Sequence, residues 1–199
     1  MQYLSQRLAA QPARTREEER PRGSLADSQR ERLLDATEAL IAEKGAARTT
    51  IEAIVKGAGV STVTFYEHFR DKDECFVAAF ERAVADLRAE VSEALPAGGS
   101  REEQVRAGLG ALLAAVDAEP ARARLCFVEA QQGGPRMAAR YDAALDAVAA
   151  ELGDSLGQAI AGGLAWLLRE RLELGGGGSV RALLPQMTDV ILAPQPADG

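Results

Sequence analysis

The stretch from Thr49 to Lys72 constrains the fold of this chain most, because it places two short helical segments on either side of glycines. It reads TTIEAIVKGAGVSTVTFYEHFRDK. Thr49, followed three residues later by Glu52, forms a capping-box pattern that predicts a helix beginning at Thr50. Gly59 can adopt the positive φ that turns a chain sharply at a helix end. The stretch therefore predicts a helix, a tight turn and a second helix.

The second helix of this stretch also has a start signal of its own. Ser61 can cap it, Phe65 is expected to face the first helix, and Phe69 is expected to close its end. Asp71, followed by Glu74, predicts the start of a further helix. Two short helices joined by a tight glycine turn form a helix-turn-helix, whose second helix would place its N-terminal residues at base edges in the DNA major groove.

The outward side chains favour nucleic acid over a helical hairpin inside an enzyme. They are hydrogen-bond donors suited to phosphates or base edges, namely Thr62, Thr64, Tyr66, His68 and Lys72. The net charge of the chain is −7, but residues 1–72 hold 12 Lys and Arg against 11 Asp and Glu, while residues 73–199 hold 11 against 19. All three lysines and the single histidine lie in the first part. The positive field is thus local, as attraction to a phosphate backbone requires.

Over about residues 28–80 the chain resembles the DNA-binding domain of the TetR family of transcriptional regulators. The matching residues are Thr49-Thr50-Ile51, Ile54, Ala58-Gly59-Val60-Ser61, Thr64-Phe65-Tyr66, His68-Phe69 and Lys72, after a helix closed by Gly45. The resemblance implies a DNA-contacting set on this chain: Thr50, Ser61, Thr62, Val63, Thr64, Tyr66, His68 and Lys72. Val55 and Val63 depart from the family pattern, and Val63 could contact a thymine methyl but cannot hydrogen-bond a base.

Composition and helix signals predict an all-α fold. Alanine, leucine, glutamate and arginine dominate, and no segment shows sustained β alternation. We expect a disordered arm over residues 1–27, a three-helix DNA-binding domain over 28–74, and a helical effector-binding and dimerisation domain over 75–199. The arm is interpreted as a solvated tail, the alternative being DNA contact through its arginines. A long helix from Lys72 to about Leu95 joins the domains, and further helices are predicted at about 101–118, 121–131, 135–152, 154–174 and 179–193.

The last two predicted helices each carry an apolar stripe. Such a pair could simply close its own domain, but the resemblance implies that it packs with the same pair of a second subunit as a four-helix bundle. The expected homodimer interface comprises Leu156, Ile160, Gly163, Leu164, Leu167, Leu183, Met187 and Val190. A two-fold dimer would match a palindromic operator in double-stranded DNA.

The resemblance also implies that the second domain binds a small-molecule effector. The residues expected to contact it are Leu112, Val116, Phe127, Glu129, Met137, Tyr141 and Trp166. The sequence thus predicts a ligand-responsive regulator, a repressor released from its operator by an effector of unknown identity. The alternative is a helical small-molecule-binding protein that has lost specific DNA binding.

Other functional classes find little support in the sequence. No nucleophile–base–acid set, metal cluster or phosphate-binding glycine loop is apparent, so we expect neither an enzyme nor a metal or cofactor. Cys75 and Cys126 lack metal-ligand spacing and are expected to be buried thiols in a reducing cytoplasm. No apolar run approaches the roughly 20 residues that cross a bilayer, so no membrane association is expected.

Overall fold

The computed structural model describes residues 22–152, 157–174 and 178–193, and all regular elements in these ranges are helical. The α-helices are α1 (Arg22–Lys44), α2 (Ile51–Ala58), α3 (Thr62–His68), α4 (Lys72–Ala94), α5 (Arg101–Ala118), α6 (Pro120–Phe127), α7 (Pro135–Leu152), α8 (Gly157–Leu174) and α9 (Leu184–Leu192). Short 3-10 turns occupy Ala46–Arg48, Glu129–Gln132 and Val180–Leu183. The prediction of an all-α fold is confirmed. None of the described helices is long and apolar enough to cross a membrane.

Local capping explains where the two helices of the helix-turn-helix begin. The capping prediction for Thr49 is wrong by one residue: Thr50 is the N-cap of α2, with its hydroxyl accepting a hydrogen bond from the Ala53 amide at 3.3 Å. Thr49 is instead buried, and its hydroxyl donates to the Gly45 carbonyl at 2.9 Å. Gly59 ends α2 in the left-handed conformation at φ 63°.

The caps predicted for the following helices are confirmed. The Ser61 hydroxyl accepts from the Thr64 amide at 3.0 Å, and the Asp71 carboxylate accepts from the Glu74 amide at 2.7 Å. The hydrogen bond from the Glu74 amide, together with the guanidinium of Arg136, lowers the pKa of Asp71. Asp71 therefore remains a charged acceptor at neutral pH.

One predicted boundary needs correction. Helix α1 begins at Arg22, so residues 22–27 are helical although the sequence placed them in a disordered arm; the rest of that arm lies outside the described residues. The boundary between residues 74 and 75 falls inside α4. One apolar core extends across it from Leu33 and Phe65 through Cys75 and Phe76.

The second domain contributes to that core and has another of its own. Leu125 and Cys126 of α6 and Met137 of α7 belong to the core shared with α1 to α4. A second core joins α5, α6, α8, α9 and the 3-10 turn before α9. Its buried members are Leu109, Leu113, Val116, Ala123, Ile160, Leu164, Leu168, Val180, Met187 and Ile191. The first domain and the second are thus packed through a continuous apolar contact around α4.

Two helices predicted as continuous are divided in the structure. The predicted helix over 121–131 breaks at Val128, which has φ −114° and ψ −62°. The chain continues from there as a 3-10 turn. The segment 179–193 begins as a 3-10 turn, and α9 starts only at Leu184, with Pro185 in its first turn. The break at Val128 matters most, because it turns the next side chain, Glu129, into the protein interior.

Replacing Gly59 with alanine is expected to destabilise the protein by about 1–2 kcal/mol, because φ is positive there although no atom lies near the added Cβ. Gly110 is the matched control: it lies inside α5 with equally open space, so Gly110→Ala should stabilise by up to about 1 kcal/mol. Chemical denaturation of both variants at one protein concentration measures the difference. Equal effects of the same sign would contradict the role assigned to Gly59.

Candidate nucleic-acid interface and effector cavity

Helix α3 exposes several side chains of the predicted DNA-contacting set. Val63 is 70% exposed and Tyr66 is 56% exposed, whereas Phe65 between them is fully buried. The Tyr66 ring packs edge-on against Phe65, with centroids 5.5 Å apart. Thr62 and Thr50 are exposed as well. This helix therefore presents an open face on a rigid apolar base.

The remaining residues of the predicted DNA-contacting set, apart from exposed Ser61, are more enclosed. Thr64 and His68 are half-buried, and the Thr64 hydroxyl lies 3.0 Å from that of Ser61, within hydrogen-bond distance. Lys72 is half-buried too, and its ammonium donates to the Ala46 carbonyl at 3.1 Å. Since an ammonium has three donors, two stay available for a phosphate. The sequence did not reveal this internal role of Lys72, because Ala46 is 26 residues away.

A cavity of about 990 Å³ opens among α4 to α9. Three residues predicted to contact an effector line it: Leu112, Phe127 and Tyr141. Its inner wall is apolar, with buried Phe80, Leu109, Cys126, Leu164, Ala165, Leu168 and Ile191. Desolvation raises the pKa of Tyr141, and burial raises the pKa of the Cys126 thiol to about 12, so both stay protonated at neutral pH. The cavity interior is therefore uncharged.

The mouth of this cavity is charged, a feature that the sequence did not predict. Arg88 of α4 forms an ion pair with Glu151 of α7, and exposed Arg101 and Gln104 of α5 also line the opening. These residues come from three helices, and only their tertiary arrangement brings them together. The cavity thus combines an apolar interior with polar and charged groups where it meets solvent.

Four predicted effector contacts lie elsewhere, which corrects that part of the prediction. Val116 and Met137 are buried within the two apolar cores and do not line the cavity. Trp166 points to the outside of α8 and is 55% exposed. Glu129 is buried, but its carboxylate contacts the Ala46 amide and Arg124 rather than the cavity.

The predicted dimer stripe also divides between two environments. Ile160, Leu164 and Met187 are buried in the core of their own subunit, so they cannot form an interface surface as predicted. Gly163 and Val190 are exposed, Leu167 and Leu183 are half-buried, and Leu156 lies outside the described residues. Apolar residues therefore face both sides of α8 and α9, and the stripe seen in sequence combined an inner and an outer face.

Comparison with known proteins identifies the N-terminal domain. Residues 33–79 match the family model for bacterial regulatory proteins of the tetR family. A curated relative, the HTH-type transcriptional activator FasR of Mycolicibacterium smegmatis, is 28% identical over 145 residues. The match covers 69% of this chain and 66% of the relative, slightly less than two thirds of that protein.

Solved structures show the same overall fold at low sequence identity. The fatty acid degradation regulator FadR from Bacillus halodurans has a TM-score of 0.73 at 18% identity, with 82% of this chain and 94% of that chain covered. The transcriptional regulator FadR from Bacillus subtilis, solved in complex with stearoyl-CoA, has a TM-score of 0.71 at 14% identity, with 83% and 99% covered. The N-terminal domain is thus that of the tetR family of bacterial regulatory proteins, and the described residues share the all-helical fold of these solved structures.

Proposed function

We propose that this protein binds a palindromic DNA operator as a homodimer and that an amphiphilic small molecule in its cavity lowers the affinity for that operator. The observation that carries the proposal is the large apolar cavity, one wall of which belongs to α4, the helix that also packs against a TetR-family helix-turn-helix. A ligand changes DNA affinity only through its different affinity for two conformers of the protein. The packing of α4 against both the helix-turn-helix and the cavity supplies the physical link.

The open face of α3 supports sequence-specific binding over the alternative of a protein that has lost it. Val63 offers an apolar contact to a thymine methyl, and Thr62 offers a hydroxyl at the start of the helix. Tyr66 and Thr50 supply hydroxyls for phosphates that fix the register. Because operator DNA lies in the cytoplasm of a bacterium, we place the protein there.

We further propose that the protein acts as a repressor, which effector binding would release. An activator is the second candidate function, because the curated relative is named an activator. The two differ in the response of the controlled promoter when the gene is deleted: transcription rises for a repressor and falls for an activator.

The shape and charge of the cavity favour an acyl chain bearing an anionic head group. An uncharged interior suits a long alkyl chain, whose burial is worth about 0.8 kcal/mol per methylene. The arginines at the mouth, Arg88 and Arg101, suit a phosphate or carboxylate held at the solvent boundary. The complex of the Bacillus subtilis regulator with stearoyl-CoA adds support from the same fold. We therefore propose long-chain acyl thioesters of coenzyme A as the effector class.

The outer faces of α8 and α9 are the proposed dimer surface. Exposed Gly163 and Trp166 lie on α8 one helical turn apart, and exposed Val190 lies on α9. No atom lies within 4 Å of a Cβ built on Gly162 or Gly163, so a partner helix can approach closely there. Trp166, assigned to the effector by sequence, fits this surface better, because exposed aromatic side chains are typical anchors of protein interfaces.

Replacing Tyr66 with phenylalanine tests the DNA interface. The ring can keep its packing on Phe65 and only the hydroxyl is lost, so we expect operator affinity to fall several-fold without a change in melting temperature. Fluorescence anisotropy with a palindromic operator at several salt concentrations measures it. Unchanged affinity would show that Tyr66 makes no DNA contact, and salt-independent binding would contradict the interface as a whole.

Two variants of the ion pair at the cavity mouth test the effector class, because they are expected to change the affinity for stearoyl-CoA in opposite directions. Arg88→Gln should weaken stearoyl-CoA binding about two- to fivefold, the size of one exposed charge contact. Glu151→Gln should tighten it by a similar factor, because it frees Arg88 and removes a negative charge. Isothermal titration calorimetry below the micelle concentration gives both values. Effects of the same sign would rule out an anionic head group at this mouth.

Replacing Val190 with aspartate tests the dimer. The change places a charge on each side of a two-fold interface, so we expect a monomer in light scattering at concentrations where the wild type is a dimer. Leu25→Asp is the matched control, because Leu25 is similarly exposed at 55% but lies on α1. A dimer that persists in Val190→Asp would place the interface elsewhere.

A further inference from the structure

A buried carboxylate joins the second domain to the backbone just before the helix-turn-helix. Glu129 is 6% exposed, and its Oε2 accepts a hydrogen bond from the Ala46 amide at 3.0 Å. Its Oε1 accepts from Nη2 of Arg124 at 3.2 Å. The two hydrogen-bonded residues Ala46 and Glu129 are 83 positions apart in sequence. Burial of a charge is tolerated here because each oxygen has a donor.

The turn held by Glu129 lies just before the N-cap of α2. Gly45 has a positive φ of 81°, and a Cβ added there would lie 3.3 Å from Glu129 Oε2, so the backbone approaches the carboxylate closely. The Ala46 carbonyl accepts from Lys72 of α4, and Thr49 donates back to Gly45. Ala46 is thus hydrogen-bonded to both Glu129 and Lys72, and Gly45 is hydrogen-bonded to Thr49. Both residues precede the N-cap of α2. A displacement of Glu129 would be passed to the helix-turn-helix.

The 3-10 turn that carries Glu129 is joined to the cavity wall through its neighbouring residues. Its 3-10 turn, Glu129–Gln132, follows directly after Phe127 and Val128, and Phe127 lines the cavity. Gln131 of the same turn donates to the hydroxyl of Tyr141, another lining residue, at 2.7 Å. Arg169 of α8 donates to Gln131 at 2.6 Å. A ligand that displaces Phe127 or Tyr141 therefore acts on the turn that carries Glu129.

We propose that Glu129 is a positioning residue for DNA binding: its bond to Ala46 holds the helix-turn-helix in the DNA-competent orientation, and occupation of the cavity breaks that bond. The part of this proposal that concerns occupation of the cavity rests on the function proposed above, whereas the link between Glu129 and the helix-turn-helix does not. The conformer with the intact bond binds DNA, and the conformer without it binds the effector more tightly. Weakening the bond shifts the population toward the second conformer.

The central test uses Glu129→Gln, which keeps the side-chain shape but cannot satisfy both the Ala46 amide and Arg124 with acceptor oxygens. We expect operator affinity to fall and stearoyl-CoA affinity, measured without DNA, to rise, each at least twofold. If Glu129 only stabilised the fold, its replacement would lower the affinity for both operator DNA and stearoyl-CoA or for neither. Either result would overturn the proposal. Glu81→Gln, which breaks the exposed ion pair of Glu81 with Arg140 between α4 and α7, is the control and should change neither.

Hydrogen exchange supplies a readout that needs no effector. Amides of residues 46–58 should exchange faster in Glu129→Gln than in the wild type or in Glu81→Gln. Tyr141→Phe, which removes only the hydroxyl bound by Gln131, should speed exchange in the same segment. Unchanged exchange in the first variant would overturn the role of Glu129, and unchanged exchange in the second would overturn its link to the cavity. Failure of stearoyl-CoA to bind the wild type would reject the effector class alone.

Discussion

The fold depends on the burial of α4 on more than one side. Its N-terminal turns pack Cys75 and Phe76 into the core formed with α1 to α3, and Phe80 and Leu87 continue that core toward α6 and α7. Val84 and Val91 of α4, with Leu95 just after its end, form one wall of the cavity. A single rigid helix therefore touches the helix-turn-helix, the shared core and the ligand space. Because packed cores shift between discrete arrangements rather than deforming smoothly, a change at one end of α4 is felt at the other.

The elements set by local chemistry could be predicted from the sequence, and those set by tertiary packing could not. Gly59, Ser61 and Asp71 act on neighbours within four residues, so their turn and caps were readable from the chain. The cap of α2 was displaced by one residue, because Thr49 and Thr50 offer the same hydroxyl and burial decides between them. The break at Val128 has no glycine or proline to mark it.

The functional residues also divide into those set by local sequence and those set by tertiary packing. The exposed residues of α3 were predictable because their spacing on a short helix determines their direction. Glu129 and Trp166 were assigned to the cavity by residue type alone, and the structure places one against the turn at Ala46 and the other on the outer surface. The two departures from the family pattern also differ in kind. Val55 is buried in the core and affects packing, whereas Val63 is exposed on the open face of α3.

The shared core also limits how this protein can be recombined with its relatives. Exchanging DNA-binding domains between regulators assumes that a cut near residue 74 separates two independent units. Here such a cut would leave Phe65 and Leu33 without the side chains of Cys75, Phe76 and Phe80, and would replace the partner of the Ala46 amide. A working hybrid would have to carry α4, α6 and the turn of Glu129 together with the new reading helix. The unit that can be exchanged is therefore the surface of α3 and not the domain that bears it.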